Sequence, residues 1–146
     1  MRAEHSSSVV IAAPRQQVWD RVVDWERQGE WIPLTRVTRT GGTPGAVGET
    51  LTARTGIGRL GFDDTMTVLE VEEPLRCRVA HTGRVVHGWG EFRLVELPEG
   101  TRLVWEEGVD VPGGPLAPLI WRVITPAVRV SFALALRRLA RQIERS

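Results

Sequence analysis

The last part of the chain alternates apolar and basic positions with the period of an α-helix. When residues 125–146 are set on a rotation of about 100° per residue, the apolar positions gather on one narrow face and the arginines gather opposite. The apolar face comprises Val128, Phe132, Ala135, Leu139 and Ile143. Because such a stripe has to be covered by an apolar surface, the pattern predicts a long helix packed on the rest of the fold. Thr125, just before Pro126, is the expected N-cap.

The preceding residues follow the period of two that strands show, and turn residues divide them. Residues 6–12 predict a first strand, residues 14–23 a short helix that opens on proline, and residues 25–31 a second short helix. Between Pro33 and Val111, glycine and proline turn signals leave about six segments of strand length. The order predicts one α+β domain over residues 1–146, with a strand, two short helices, an antiparallel meander and a long helix.

Strand alternation indicates which side chains face the helix. In residues 75–81, Cys77 and Val79 share a face with His81, and the arginines between them take the other face. Two later strands contribute an inward set of the same kind: Gly90, Phe92, Leu103, Trp105 and Glu107. One imidazole and one carboxylate therefore fall on faces that are otherwise apolar.

The strand at residues 62–71 has an ambiguous alternation. Leu69 and Val71 lie between glutamates, but continuing that parity toward the N-terminus turns Met66 and Val68 outward, so a β-bulge is one solution. Depending on this register, a second polar end of the interior could come from four residues: Asp63, Asp64, Thr65 and Thr67.

Composition narrows the class of protein. Hydrophobic residues make up 42% of the chain and charged residues 25%, as in globular domains. The 19 basic and 18 acidic residues leave a net charge of +1, which gives no global field to recruit nucleic acid or an anionic membrane. The single cysteine, Cys77, excludes an internal disulfide and fits a reducing compartment. We identify no signal peptide and no segment of membrane-span length, and we expect a cytoplasmic protein.

Motifs for metals and nucleotides are not found. The three histidines and one cysteine do not show the spacing of metal ligands, and no serine occupies a GxSxG turn. The glycine-rich stretches GGTPG and GIGRLG do not join a strand to a helix as a dinucleotide-binding loop does. We predict no metal ion and no cofactor, and we interpret GIGRLG as a hairpin connection.

Three short motifs carry a family resemblance. They are Ala13-Pro14 followed by Val18-Trp19, then Trp31-Ile32-Pro33, then Gly100-Thr101-Arg102. Together with the element order, which covers nearly the whole chain, they resemble the START-like, helix-grip (SRPBCC) superfamily, in particular its polyketide cyclase/dehydrase-type branch. The resemblance implies a curved seven-stranded antiparallel sheet wrapped around the C-terminal helix, with two short helices between strands 1 and 2. Members include lipid carriers, hormone receptors and ring-closing enzymes of polyketide synthesis, so the motifs specify architecture more than chemistry.

The resemblance also implies a cavity between sheet and helix that takes hydrophobic or amphipathic small molecules. Physical reasoning agrees, since a curved sheet closed by one helix leaves a void lined by apolar atoms. Residues 115–124 form an apolar stretch near the expected mouth, which we interpret either as a hinged flap or as the first turns of a kinked helix. The predicted ligand-contacting residues are Trp19, Cys77, Val79, Gly90, Phe92, Leu103, Trp105, Trp121, Val128, Ser131, Phe132 and Ala135.

His81 and Glu107 are the candidates for catalysis. If they meet across the cavity, directly or by water, they could act as general base and acid, as an aldol-type ring closure requires. If they contact only each other, they are a satisfied internal pair, since burying either group alone is expensive.

Three hypotheses of function follow. The leading one is a module that binds a hydrophobic small molecule, lipid-like or polyketide-like. The second is a polyketide aromatase/cyclase-type enzyme that uses the inward polar residues. The third is a partner-binding protein with no open cavity, anchored by Trp89, Val130 and Leu134, with a homodimer as one form. None of them involves nucleic acid or stable insertion into a membrane.

Overall fold

The computed structural model describes residues 1–146 as a seven-stranded antiparallel sheet with one long helix across its open side. The strands are β1 (Arg2–Ile11), β2 (Thr35–Gly41), β3 (Thr50–Ile57), β4 (Leu60–Glu72), β5 (Arg76–Thr82), β6 (His87–Leu97) and β7 (Gly100–Asp110). Their order across the sheet is β1-β7-β6-β5-β4-β3-β2, so every neighbouring pair except β1 and β7 is consecutive in the chain. The predicted helix-grip fold is confirmed.

The helices occupy the predicted places. Between β1 and β2 lie α1 (Arg15–Val22), with Pro14 as its N-cap, and a 3-10 helix (Trp25–Glu30). A short 3-10 turn (Gly114–Leu116) leads into the long helix α2 (Ala117–Glu144). Because α2 begins at Ala117, the predicted start at Pro126 with Thr125 as N-cap is wrong.

Pro126 lies inside α2 rather than at its beginning. A proline inside a helix removes one backbone hydrogen bond, and next to it the Thr125 hydroxyl donates to the carbonyl of Trp121 at 2.5 Å. N-terminal to the proline, Ile120 and Trp121 pack on a small buried cluster at the beginning of β1 and of α2. This packing compensates for the missing bond. Residues 115–124 are therefore the first turns of a long helix and not a separate flap.

β1 is longer than predicted because it is an edge strand. It begins at Arg2 instead of residue 6 and pairs along its whole length with β7. Its outward residues are solvated, which is usual for one face of an antiparallel sheet and explains why the first residues resemble a polar tail. Ala3 and His5 point inward on the opposite face.

The pairing of β4 with β5 contains the β-bulge that the alternation allowed. The register shifts between Val68 and Glu70, so Leu69 is the extra residue and is 44% exposed. N-terminal to the bulge, Met66 and Val68 are buried. The same parity turns Asp64 toward the interior.

The closed part of the core lies between the sheet, α1 and the C-terminal half of α2. Its fully buried side chains include Ile11, Trp19, Trp31, Leu103, Leu136, Leu139 and Ile143. The Ala12 backbone N–H donates to the Glu144 carboxylate at 2.9 Å, and the Gln142 amide donates to the Glu30 carbonyl at 2.8 Å. Apart from Ala117, the buried residues of α2 all lie between Ala135 and Ile143. The helix and the sheet therefore touch at one end and stand apart at the other.

α2 also corrects the expectation that no segment approaches membrane-span length. Together with its preceding turn, Gly114–Glu144, it is long and apolar enough to cross a membrane by length and composition alone. Its C-terminal half belongs to the hydrophobic core through Leu136, Leu139 and Ile143. A spanning arrangement would dismantle that core.

Candidate functional site

A cavity of about 510 Å³ separates the sheet from the N-terminal half of α2. The helix contributes one face, with side chains spaced three or four residues apart, and the strands contribute their inward positions. Val85 and Ile124 line the cavity and are also 59% and 41% exposed. The cavity therefore opens to solvent between the β5–β6 loop and α2. Its other apolar wall residues include Ala53, Met66, Val79, Phe92, Trp105, Ile120, Trp121, Val128 and Phe132.

Aromatic rings form one wall. The rings of Trp105 and Phe132 stack with centroids 4.0 Å apart and an interplanar angle of 16°. Phe92 lies 5.4 Å from Trp105, and the buried Trp31 lies behind them at 5.8 Å from Trp105. Such a wall offers a flat apolar surface on which a ring or a chain can lie.

Within the mostly apolar lining, Asp64, His81 and Glu107 form one hydrogen-bonded cluster. His81 Nδ1 lies 2.8 Å from Asp64 Oδ1, and His81 Nε2 lies 2.6 Å from Glu107 Oε2. The indole N–H of Trp105 donates to Glu107 Oε1 at 3.0 Å. His81 itself is 5% exposed. The structure thus brings the predicted pair together and adds Asp64 to it.

Gly90 makes this meeting sterically allowed. His81 is on β5 and Glu107 on β7, and β6 runs between these two strands with Gly90 directly opposite Glu107. A Cβ atom at position 90 would lie 2.8 Å from Glu107 Oε2 and 3.0 Å from His81 Nε2. Only a residue without a side chain leaves room for the two groups to bond across the intervening strand.

The cluster keeps the imidazole protonated. Burial by itself lowers the pKa of His81, but the hydrogen bonds to Asp64 and Glu107 and the charges of both carboxylates outweigh it and raise the pKa to about 10. At neutral pH both ring N–H groups therefore donate to carboxylates. Two carboxylates against one imidazolium leave the cluster with a single negative charge.

The other titratable groups that line the cavity are His5, Cys77, Glu91 and Asp110. His5 lies edge-on to Phe132 at 4.9 Å, and burial, followed by the charge of Arg129, lowers its pKa. Burial, with a further contribution from Glu49, raises the pKa of the Cys77 thiol to about 12. At neutral pH neither His5 nor Cys77 adds a charge to the cavity, whereas Glu91 and Asp110 are paired with Arg76 and Arg2 respectively.

Three of the predicted ligand-contacting residues do not line the cavity. Leu103 and Ala135 are buried in the closed core, because the helix and the sheet have converged by Ala135. Trp19 borders a separate cavity of about 50 Å³. The other nine line the main cavity: Cys77, Val79, Gly90, Phe92, Trp105, Trp121, Val128, Ser131 and Phe132. Their contact with a ligand stays a prediction, as do the catalytic roles of His81 and Glu107.

Sequence reasoning missed several lining residues. Asp64 was one of four polar candidates, and only the bulge at Leu69 selects it. Placing His5 in the cavity wall requires a β1 strand that begins at Arg2. Placing Ile120 and Ile124 there requires a helix α2 that begins before Pro126. For Asp64 the deciding signal was a shift of register within β4, and for the other residues it was the position of an element boundary rather than the residue type.

The comparisons with known proteins place the chain in a family. A family model described as "Polyketide cyclase / dehydrase and lipid transport" matches residues 2–144, and the chain belongs to this family. Among curated proteins, none matches the sequence.

Solved structures share the fold at low sequence identity. The Zhui aromatase/cyclase from Streptomyces sp. R1128 is 20% identical with a TM-score of 0.75, over 99% of this chain and 95% of that one. TTHA0849 from Thermus thermophilus is 14% identical with a TM-score of 0.81, over 97% of each chain. The di-domain ARO/CYC BexL from the BE-7585A biosynthetic pathway is 17% identical with a TM-score of 0.78, and this chain spans 50% of its length. At these identities the likeness establishes the fold alone.

Proposed function

We propose that this protein binds a hydrophobic or amphipathic small molecule, lipid-like or polyketide-like, in the cavity between the sheet and α2. The observation that carries the proposal is a cavity of about 510 Å³ whose wall is mostly apolar and holds one hydrogen-bonded cluster of Asp64, His81 and Glu107. Its size falls within the range of small-molecule sites. Each 100 Å² of apolar ligand surface removed from water contributes about 2.5 kcal/mol, so a ligand with one or two rings or a medium-length chain would be retained.

The polar cluster favours one kind of ligand end group. Both ring nitrogens of His81 and the indole nitrogen of Trp105 are already bonded to carboxylates. The oxygens of Asp64 and Glu107 keep lone pairs that can accept further hydrogen bonds, and no arginine lines the cavity. A hydroxyl or amine is therefore favoured at this end. A ligand carboxylate would meet the negative charge of the cluster, and like charges in contact are costly.

Isothermal titration with matched ligands tests both parts. We would compare 2-naphthol with 2-naphthoate, and decylamine with decanoate, at neutral pH. The donor of each pair is expected to bind at least about tenfold more tightly than the carboxylate, which corresponds to about 1.4 kcal/mol. Failure of every compound to bind would contradict the cavity function. Equal affinities within each pair would contradict only the preference for a donor.

Two tryptophan variants on α2 locate the binding site. Ser131 lines the cavity near its mouth, so Ser131→Trp is expected to obstruct the cavity and weaken binding. The neighbouring Val130 is 67% exposed and does not line the cavity. Val130→Trp therefore adds the same side chain outside and is the matched control. Equal affinities of the two variants would contradict a site in this cavity.

A second candidate function is an aromatase/cyclase-type reaction, which is favoured by the charged cluster at an apolar cavity. In an aldol-type closure, a carboxylate of Asp64 or Glu107 takes the proton from a carbon next to a carbonyl. That carbon then forms the new C–C bond with a second carbonyl carbon, and the imidazolium of His81 gives a proton to the oxygen, which becomes a hydroxyl. Because both nitrogens of His81 carry protons, the base role fits a carboxylate better than the imidazole.

Single-site variants decide between binding and catalysis. The wild-type protein would be incubated with a linear poly-β-ketone analogue and the cyclised product measured. His81→Gln and Glu107→Gln are expected to lower turnover at least about a hundredfold if these groups move the protons. Full turnover in either variant dismisses that residue's role. Absence of product with the wild type contradicts the enzyme while leaving ligand binding untouched.

The third hypothesis, a partner-binding module with a filled interior, is not supported, because the structure has an open cavity. One of its anchors, Trp89, lies on the outer face of the sheet with the Arg78 guanidinium 4.3 Å from its ring. The homodimer, the cytoplasmic location and the absence of a metal ion or cofactor stay predictions.

A further inference from the structure

The outer side of α2, together with Leu116 of the 3-10 turn that precedes it, carries a stripe of aliphatic residues with no partner in the fold. Leu119, Val123 and Val130 are 59%, 69% and 67% exposed, and Leu116 and Leu134 are 62% and 44% exposed. In chain order, successive residues are separated by three, four, seven and four positions. At about 100° per residue, these spacings place all five on one helix face. We call these five residues the outer stripe. It faces away from the cavity-lining side chains of the same helix.

The charges around the outer stripe all have one sign. Residues 111–143 contain five arginines and no aspartate or glutamate, although the whole chain is almost neutral. Arg122 and Arg129 flank the stripe on the N-terminal half of α2. Arg137 and Arg141 continue the same helix face beyond Leu134, where the apolar side chains end. The outer side of α2 is therefore a basic, aliphatic surface.

A second copy of the chain fits this surface poorly. A symmetric dimer brings the same patch of each subunit together, so the arginines would face arginines with no carboxylate from residues 111–143 to pair them. A folded protein partner also fits less well, because protein interfaces form about one hydrogen bond per 100–200 Å². The stripe has only Leu and Val side chains, which form none. Fluid hydrocarbon requires neither hydrogen bonds nor a complementary shape.

We propose that the outer stripe of α2 docks the protein on an anionic lipid bilayer. In this arrangement the helix lies in the plane of the membrane interface, with the aliphatic side chains below the headgroups and the arginines at the phosphates. The arrangement is peripheral: the buried C-terminal half of α2 stays in the core. The inference concerns the outer surface and does not depend on the ligand of the cavity.

Vesicle cosedimentation of the purified protein tests the docking. The vesicles would contain phosphatidylcholine alone or with about 30% phosphatidylglycerol. Binding is expected on the anionic vesicles at about 50 mM salt, with a large decrease at about 500 mM salt because the Debye length shortens. Weaker binding is expected on the neutral vesicles. No sedimentation with anionic vesicles, or equal sedimentation with both kinds, would overturn the proposal.

Matched variants separate the stripe from general surface effects. Leu119→Glu with Val123→Glu is expected to lower the partition coefficient at least about a hundredfold, since it removes two aliphatic contacts and adds two like charges. The control is Leu69→Glu with Val95→Glu, two half-exposed aliphatic residues of the sheet, which should bind as wild type. Thermal unfolding of each variant verifies that it is folded. Equal losses in both pairs would overturn the proposal.

Arginine variants test the electrostatic part. Each basic residue near an anionic surface contributes about a fivefold increase in binding, so Arg122→Gln with Arg129→Gln should weaken it about 25-fold. Arg36→Gln with Arg102→Gln removes two exposed charges elsewhere and is expected to change it little. Sedimentation velocity of the lipid-free protein provides the last outcome. A dimer that Leu119→Glu abolishes, without vesicle binding by the wild type, would assign the stripe to a second copy and refute the proposal.

Discussion

Raising the pH above 6.5 is expected to destabilise the fold, because the unfolded state releases the proton of His81 while the folded state still holds it. The folded-state pKa is raised to about 10 from the ordinary value of 6.5, so the folded state holds a proton that the unfolded state loses first. The stabilisation is fully present below pH 6.5 and is lost as the pH rises through about 10. The two values differ by about 3.5 pH units, which at about 1.4 kcal/mol per unit amounts to about 5 kcal/mol.

Few side chains other than His81 titrate between pH 6.5 and about 10, because the chain has no lysine and no tyrosine. The lowered pKa of His5 has the opposite effect, a gain of stability as the pH rises through the ordinary value of 6.5, so it cannot produce the predicted loss. The Cys77 thiol, raised from 9.0 to about 12, also destabilises the fold as the pH rises, but only from about pH 9 upward. A loss of stability between pH 6.5 and about 8.5 therefore reports His81, and it amounts to about 2 kcal/mol because the unfolded imidazole is still half protonated at pH 6.5.

Urea unfolding followed by tryptophan fluorescence at pH 6.5, 7.5 and 8.5 measures the slope. Wild type is expected to lose about 1 kcal/mol per pH unit on average over this range. His81→Gln should be less stable at pH 6.5 and should lack this loss, and Cys77→Ala should keep the wild-type slope. A wild-type stability that is equal at the two ends of the range would refute a protonated His81 held between carboxylates. So would a slope that persists in His81→Gln.

Three further predictions follow from the same geometry. Gly90→Ala places a methyl carbon 3.0 Å from the His81 ring nitrogen, so it should remove most of the pH slope just described, measured by the same urea series. Phe132→Ala removes the ring stacked 4.0 Å from Trp105 and should lower the free energy of unfolding by about 2–3 kcal/mol, measured by urea unfolding at pH 6.5, and weaken naphthol binding in calorimetry. The Cys77 thiol, with its pKa raised to about 12, should react with a disulfide reagent at pH 8 far more slowly in the folded protein than in urea, and equal rates would contradict its burial.

Most of the fold follows from local pattern. The apolar stripe over residues 128–143 and the turn signals between Pro33 and Val111 determine the long helix and six of the seven strands, because each pattern is complete within its own segment. The element boundaries do not follow in the same way. Pro126 resembles a helix start, and only the packing of Ile120 and Trp121 on the far side of the proline shows that α2 continues through it.

The polar cluster was predicted only in part, for a physical reason. His81 and Glu107 each stand on an otherwise apolar strand face, and the alternation of one strand suffices to place each of them. Asp64 depends on the pairing of β4 with β5, since one extra residue at the bulge reverses which side chains face inward. The hydrogen bond from His81 to Glu107 passes over Gly90 on β6. This position of Gly90 depends on the registers of β5, β6 and β7 together.

The cavity-facing side and the outer stripe of α2 are both left uncovered by the fold because the helix is long. A helix of 28 residues spans about 42 Å at 1.5 Å per residue. The buried contact from Ala135 to Ile143 accounts for only about 13 Å of it. Over the remaining length the inner face of α2 lines the cavity and the outer face is exposed to solvent, and both faces are apolar. A hydrophobic ligand covers the first and a lipid surface the second, so a helix that extends beyond its own core leads to both proposals.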